Sequence, residues 1–232
     1  MSARFLRRVA ATLPAPWQRE LKRLHFRGRI RRGTFVSDEP EFRLLSRWVA
    51  RGDWVIDVGA NVGFYTKRLA ELVGPKGRVL AFEPVPETFV LLASNLESCG
   101  LCNVTLFNAA VSESAGVAAM RIPRHADTGL KNYYQAHLLG AGDGELSVLT
   151  VSLDALHIPQ AVKLVKIDAE GHELSVLRGM RETLARDHPT LIVEAPGPEV
   201  RELLGSLGYA DTRFAGSPNV VFRRKDMSEP LA

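Results

Sequence analysis

The chain has 232 residues, a formal net charge of +4, 46% hydrophobic residues and 24% charged residues. That balance excludes a collagen, a coiled coil and wholesale disorder, and the length suits one large domain whose core needs no staples. Two cysteines exclude a disulfide-built scaffold, and no run of about eighteen apolar residues offers a membrane-spanning helix.

The charge is unevenly spread. Residues 1–36 hold ten Lys or Arg against the acid Glu20, which is +9 and leaves the remainder at −5 of the total +4. A mildly acidic domain thus carries a basic arm. The opening MSARFLRRVAATLPAPW lacks the unbroken apolar stretch of a secretory signal. A cytoplasmic location is expected, or a peripheral one at a membrane.

In chain order, Leu6, Val9 and Leu13 share one helical face, and Pro14 and Pro16 break that helix. Trp17, Leu21 and Leu24 begin a second apolar stripe, which Gly28 and Gly33 are expected to end. Glu41 to Ala50 reads as a third helix with Phe42, Leu45 and Val49 on one side. From residue 52 strands and helices alternate. Val55–Val58, Arg78–Phe82, Val104–Phe107, Val162–Ile167 and Leu191–Val193 read as strands. Helices are expected over Phe64–Val73, Pro86–Ser98, one span from Leu174 past Leu184, and Pro198–Leu207. Such alternation predicts a doubly wound, mostly parallel α/β sheet. Tyr209–Phe214 and Asn219–Arg223, around Gly216-Ser217-Pro218, read as a closing antiparallel hairpin. The expected division is a helical arm over residues 1–51 and a Rossmann-like domain over residues 52–232. Residues 112–160 interrupt the rhythm as an insertion. Gly116–Ile122 and Glu145–Leu153 look like strands within it, flanking a polar, aromatic loop.

The strongest motif is Asp57-Val58-Gly59-Ala60-Asn61-Val62-Gly63, a strand entering a glycine turn before a helix. A dinucleotide-binding turn fails, because Asn61 and Phe64 hold the places of the second and third glycines. Asp57 would also repel a pyrophosphate, whereas it suits the ammonium group of S-adenosylmethionine. Glu83, ending the second strand twenty residues after Gly63, stands where an acid accepts hydrogen bonds from ribose hydroxyls. Cys99-Gly100-Leu101-Cys102 lies in a turn after a helix with no second pair, and reads as structural.

The segments DVGANVGFYT, GRVLAFEPVPETFVLLASNL, NAAVSE, SLDAL, LVKIDAEGHELSVLRGM and PTLIVE resemble the FkbM-type S-adenosylmethionine-dependent methyltransferases. The resemblance covers about residues 52–210 and implies a seven-stranded class I methyltransferase sheet. It also implies methyl transfer to a hydroxyl of a sugar or glycan, a polyketide or a similar metabolite. The cofactor contacts expected are Asp57, Gly59, Asn61, Gly63, Phe64, Tyr65, Thr66, Glu83, Pro84, Asn108, Ala109 and Asp168.

Methyl transfer to a hydroxyl needs alignment and a base. The strand Val162–Ile167 leads to Asp168, Glu170 and His172 at the carboxyl edge, where α/β sheets bind ligands. His172 is the favoured base because an imidazole titrates near neutrality. Asp168 is expected at the site mouth, and Glu170 either joins it or stabilises the following helix. Asp168 and Glu194 are a candidate pair for magnesium. No His or Cys spacing supports zinc or iron. Tyr133, Tyr134 and His137 in the insertion are candidate acceptor contacts, since aromatic faces suit sugars and polyketides. The arm has three readings open: an anionic membrane surface, nucleic acid, or packing on the domain or on a second subunit through its apolar stripe. The alternatives to a small-molecule methyltransferase are an RNA methyltransferase using the arm and a non-catalytic scaffold. Asp168-Ala169-Glu170-Gly171 lacks the Pro-Pro turn of amine methylation, and a scaffold has no need of Asp57, Gly59, Gly63 and Glu83 together.

Overall fold

The computed structural model describes residues 13–126, 129–139 and 144–227. The proposed first helix, over Leu6 and Val9, lies outside them. Helix α1 (Ala15–Arg31) starts after Pro14 with Pro16 in its first turn, where a missing N–H costs nothing. Gly28 lies inside it, and the left-handed Gly33 follows its end.

The expected helix Glu41–Ala50 is two short pieces, a 3₁₀ turn (Pro40–Leu44) and α2 (Leu45–Trp48). The tightening brings Phe42, Leu45 and Trp48 into the same cluster as Val55, Tyr65 and Leu69 of the domain. Glu41 is fully buried there and accepts hydrogen bonds from Tyr65 Oη at 3.1 Å, Ser217 Oγ at 3.0 Å and the Asn219 amide. Burying a carboxylate is costly without such partners. These partners stitch residues 40–49, grouped with the arm on sequence, to the far end of the chain.

The central sheet then forms from β1 (Trp54–Val58), β2 (Arg78–Phe82), β3 (Val104–Phe107), β8 (Val162–Ile167), β9 (Thr190–Glu194), β10 (Tyr209–Arg213) and β11 (Asn219–Arg224). Its order is β10-β11-β9-β8-β1-β2-β3, parallel from β3 to β9 and antiparallel over the last hairpin. Both faces are covered. Ile56, Val58, Val165 and Ile167 pack against α5 (Glu173–Arg178), α6 (Arg181–Asp187) and α7 (Pro198–Ser206). Val55, Val79 and Leu164 pack against α3 (Phe64–Val73) and α4 (Pro86–Ser98). This is why the strands read as unbroken apolar runs.

One helix expected from Leu174 past Leu184 is divided into α5 and α6. The second begins afresh because Asp154, from the SLDAL segment, caps it from outside. Its carboxylate accepts from Glu182 N at 2.9 Å, Thr183 N at 3.0 Å and Thr183 Oγ1 at 2.8 Å.

Much of residues 112–160 belongs to a second sheet of order β4-β7-β5-β6. Its strands are β4 (Ala110–Val111), β5 (Gly116–Arg121), β6 (His137–Leu138) and β7 (Leu146–Val151). Ala110, Met120, Ile122 and Val148 form its own cluster with Val85, so it is anchored at the loop after β2.

Candidate functional site

In the parallel register Val58 lies beside both Phe82 and Ile167, so β1, β2 and β8 end at one level. The turns leaving them form the floor of a cleft. Gly59, Asn61, Glu83, Pro84, Ala109, Asp168, Glu170 and His172, candidates from the sequence, are brought together along it. Tyr133, Ala136, Met120 and Leu138 supply the facing wall from the second sheet and its connecting segment. Sequence reasoning missed Met120, Ala136 and Leu138, because nothing local told which residues of the insertion would fold back over β2.

The first glycine of the turn has a cause within the fold itself. Gly59 has φ +74°, and a Cβ there would stand 1.8 Å from the Asp168 carbonyl oxygen. The glycine is required by the close approach of the turn after β1 to the backbone that leaves its parallel neighbour β8, before any ligand enters. Gly63 opens α3 with φ +98°.

Glu83 is buried at the end of β2. One carboxylate oxygen accepts from Asn61 N at 2.9 Å and the other from Val85 N at 3.0 Å. Burial raises its pKa to about 7, against those two backbone donors. Each oxygen keeps a lone pair for a further donor. Asn108 does not line the cleft. Its side-chain amide donates to the carbonyls of Glu83 at 2.8 Å and Pro84 at 3.1 Å, and so fixes the loop that presents Glu83.

Asp57 lies beneath the turn, fully buried. One oxygen accepts from Thr66 Oγ1 at 2.5 Å, while Oδ1 has no hydrogen-bond partner among the described residues. Burial pushes its pKa up, opposed by Lys166 and Thr66. Thr66 is therefore a support for Asp57 and stands outside the cleft wall. Phe64 and Tyr65 also turn away. Phe64 packs with Phe35, ring centroids 4.4 Å apart, and under Arg29; Tyr65 binds Glu41 and packs on Phe42. A helix exposes only part of its circumference to the strand edge, so consecutive residues 64–66 diverge.

At the end of β8, Lys166 Nζ donates to Asp168 Oδ2 at 2.6 Å. Burial disfavours the Lys166 cation, but Asp168 and Asp57 outweigh that and hold its pKa above the ordinary value. Burial likewise disfavours the Asp168 carboxylate, and Lys166 outweighs it and lowers that pKa. Glu194 is pushed up by its hydrogen bond with Asp168 and by burial. Carboxylate oxygens of Asp168, Glu170 and Glu194 lie within 4.8 Å of one another. The buried Lys166 ammonium already holds one of these groups, Asp168.

His172 lines the cleft ahead of α5, and its Nε2 lies 2.9 Å from Ser112 Oγ. Ser112 follows β4, sixty positions earlier, and no local signal connects the two. Burial lowers the His172 pKa, with Glu173 opposing, so the ring is neutral at physiological pH. Glu170 has its pKa raised by burial and by Asp168. Glu173 accepts from Gly171 N at 2.9 Å, which is the helix-start role once open to Glu170. His137 is in β6, its Nδ1 3.1 Å from the Gln135 carbonyl, and is not part of the cleft wall. The Tyr134 side chain lies outside the described residues. Cys99 and Cys102 are free thiols, and burial raises the pKa of Cys99.

Residues 57–210 match the methyltransferase FkbM domain. The hexuronic acid methyltransferase AglP of Haloferax volcanii is 30% identical over 152 residues, covering 64% of this chain and 58% of that protein. The crystal structure of methyltransferase FkbM from Methylobacillus flagellatus superposes with TM-score 0.53 at 18% identity, over 75% of this chain and 43% of that one. A methyltransferase from Geobacter sulfurreducens superposes with TM-score 0.52 at 15% identity, over 97% of this chain and 98% of that one. The chain thus spans about half of the first two relatives and nearly all of the third.

Proposed function

We propose that this chain, which belongs to the FkbM methyltransferase family, is an S-adenosylmethionine-dependent O-methyltransferase acting on a hydroxyl of a sugar. The observation that carries the reading is the charge of the cleft. Glu83, Asp168 and Glu170 line it, Asp57 and Glu194 lie behind it, and Lys166 is the cation among them. Such a field attracts a sulfonium and an ammonium and repels the pyrophosphate of a dinucleotide.

The residues fit the cofactor. Glu83 retains acceptor capacity for two vicinal hydroxyls, the Asp57 Oδ1 is a buried acceptor in need of a donor, and Val58, Phe82, Val85 and Ala109 offer an apolar wall. When bound, the cofactor supplies a methyl group already activated for in-line displacement. The protein's share is alignment and the acceptor's proton. In this proposal the acceptor hydroxyl replaces Ser112 as the partner of His172 Nε2, and the neutral ring takes the proton. Tyr133 offers a face to the apolar side of a sugar ring. The sugar class is supported by the relationship to a hexuronic acid methyltransferase.

The test is calorimetric titration with S-adenosylhomocysteine, followed by methyl transfer from labelled cofactor to uronic acids and neutral sugars. Binding with transfer to a sugar hydroxyl is the expected result. A folded chain that does not bind this demethylated product of the cofactor would sink the reading.

A further inference from the structure

The proposed chemistry makes no use of the outer face of α1. Trp17, Leu21 and Leu24 stand at four- and three-residue steps and share one face of that helix. They are 65%, 44% and 54% exposed. The opposite face carries Phe26 and Ile30, which pack with Phe35, Val62, Leu91 and Phe64. The helix therefore holds the domain by one side and presents a second apolar side to solvent. The stripe legible in the sequence is the exposed one, and of the three readings open for it, packing on the domain does not hold for these residues. Arg23, Arg27 and Arg31, at four-residue steps, form an exposed basic ridge along its border. The preceding residues 1–12 add Arg4, Arg7 and Arg8 with no acid.

We propose that this face docks on an anionic lipid bilayer, with α1 lying along the headgroup region. Charge and chemistry select the occupant. A second copy placed face to face would bring two arms of +9 together, and like charges repel. Nucleic acid would satisfy the arginines and leave Leu21 and Leu24 without a role. A bilayer uses every part: leucines toward the acyl boundary, the tryptophan at the interface, the guanidinium groups on lipid phosphates. On its domain-facing side the same helix touches the cleft wall, since Lys22 Nζ sits 4.9 Å over the Tyr133 ring and Tyr133 lines the cleft.

The experiment is co-sedimentation of the full chain with vesicles of phosphatidylcholine alone or mixed with phosphatidylglycerol, with tryptophan emission recorded in parallel. Two variants accompany the wild type, Trp17→Ser/Leu21→Ser/Leu24→Ser and Arg27→Glu/Arg31→Glu. Both leave Phe26, Ile30 and the cleft untouched, so S-adenosylhomocysteine affinity serves as the folding control. The wild type is expected to pellet with the mixed vesicles, to shift its emission to the blue and to release in high salt. Each variant is expected to bind at least about tenfold more weakly. A wild type that stays in the supernatant overturns the proposal. So does an apolar variant that binds as well as wild type, since charge alone would then suffice. A self-association or RNA retention that the apolar variant abolishes, with no vesicle binding, assigns the face to that partner instead.

Discussion

At the scale of single residues, the cleft depends on a few buried charges whose ionisation the fold controls. Glu83 has a pKa near 7, well above its ordinary value, because burial disfavours its charge. Ribose hydroxyls donate to the ionised form, so cofactor binding is expected to strengthen as pH rises through about 7 and to release a proton below it. Calorimetry of S-adenosylhomocysteine in buffers of differing ionisation enthalpy reads both effects. Glu83→Ala is expected to weaken binding about tenfold or more, through loss of charge-assisted hydrogen bonds. The pair His172 and Ser112 gives a second test. His172→Ala is expected to lower kcat by about a hundredfold or more, as loss of a positioned base does. Ser112→Ala removes a partner that the acceptor displaces, so kcat is expected to stay within about fivefold of wild type. The wild-type pH profile is expected to have its acid limb below about 6.5, since burial lowers the His172 pKa. If Ser112→Ala proves as damaging as His172→Ala, the hydroxyl relays the proton instead of yielding its place. His172 itself was legible in the sequence from its position after β8. Ser112 was not, because a contact across sixty positions leaves no local pattern.

At the scale of elements, the division of the β8-to-β9 connection into α5 and α6 rests on Asp154. Its carboxylate satisfies two N–H groups at the start of α6. Asp154→Ala is expected to destabilise the chain by about 0.5–2 kcal/mol, the usual cost of a lost helix cap, with little change in cofactor affinity. Urea denaturation beside calorimetry separates the two. The apolar period of Leu174, Leu177 and Leu184 suits one helix or two, so the break was invisible before the cap was seen. The same holds for Glu41–Ala50, where the apolar spacing was read correctly and the helix type was not. The arm is the inverse case. Periodicity found Trp17, Leu21 and Leu24, and packing chose Phe26 and Ile30. A helix with two apolar faces leaves that choice to its neighbours, here Phe35, Val62 and Leu91.

At the scale of the whole molecule, the fold accepts an electrostatic cost at the site. Asp57, Glu83 and Glu194 all have raised pKa values from burial and neighbouring acids. A carboxyl group whose folded pKa exceeds its unfolded one binds more protons when folded, so its stabilisation is lost as pH rises between the two values. The ligand-free chain is therefore expected to lose stability as pH rises from about 5 to about 7, with His172 opposing in part. Thermal unfolding at constant ionic strength across that range checks it, and rising stability would mean that Glu83 is ionised in the fold. S-adenosylhomocysteine is expected to raise Tm most at the upper end, where the ionised Glu83 gains its donors.

The sequence by itself determined the alternation of strands and helices, the glycine turn after β1, the acid ending β2 and the acids following β8. These signals are local, because apolar period, turn chemistry and strand ends are written in neighbouring residues. Only the tertiary structure decided that Thr66 supports Asp57 while Phe64 and Tyr65 face away from the cleft. It also decided that Met120 and Leu138 close the cleft from a second sheet, and which side of α1 meets the domain. Those outcomes depend on contacts between segments far apart in the chain, and a one-dimensional pattern does not encode which surface a distant neighbour will cover.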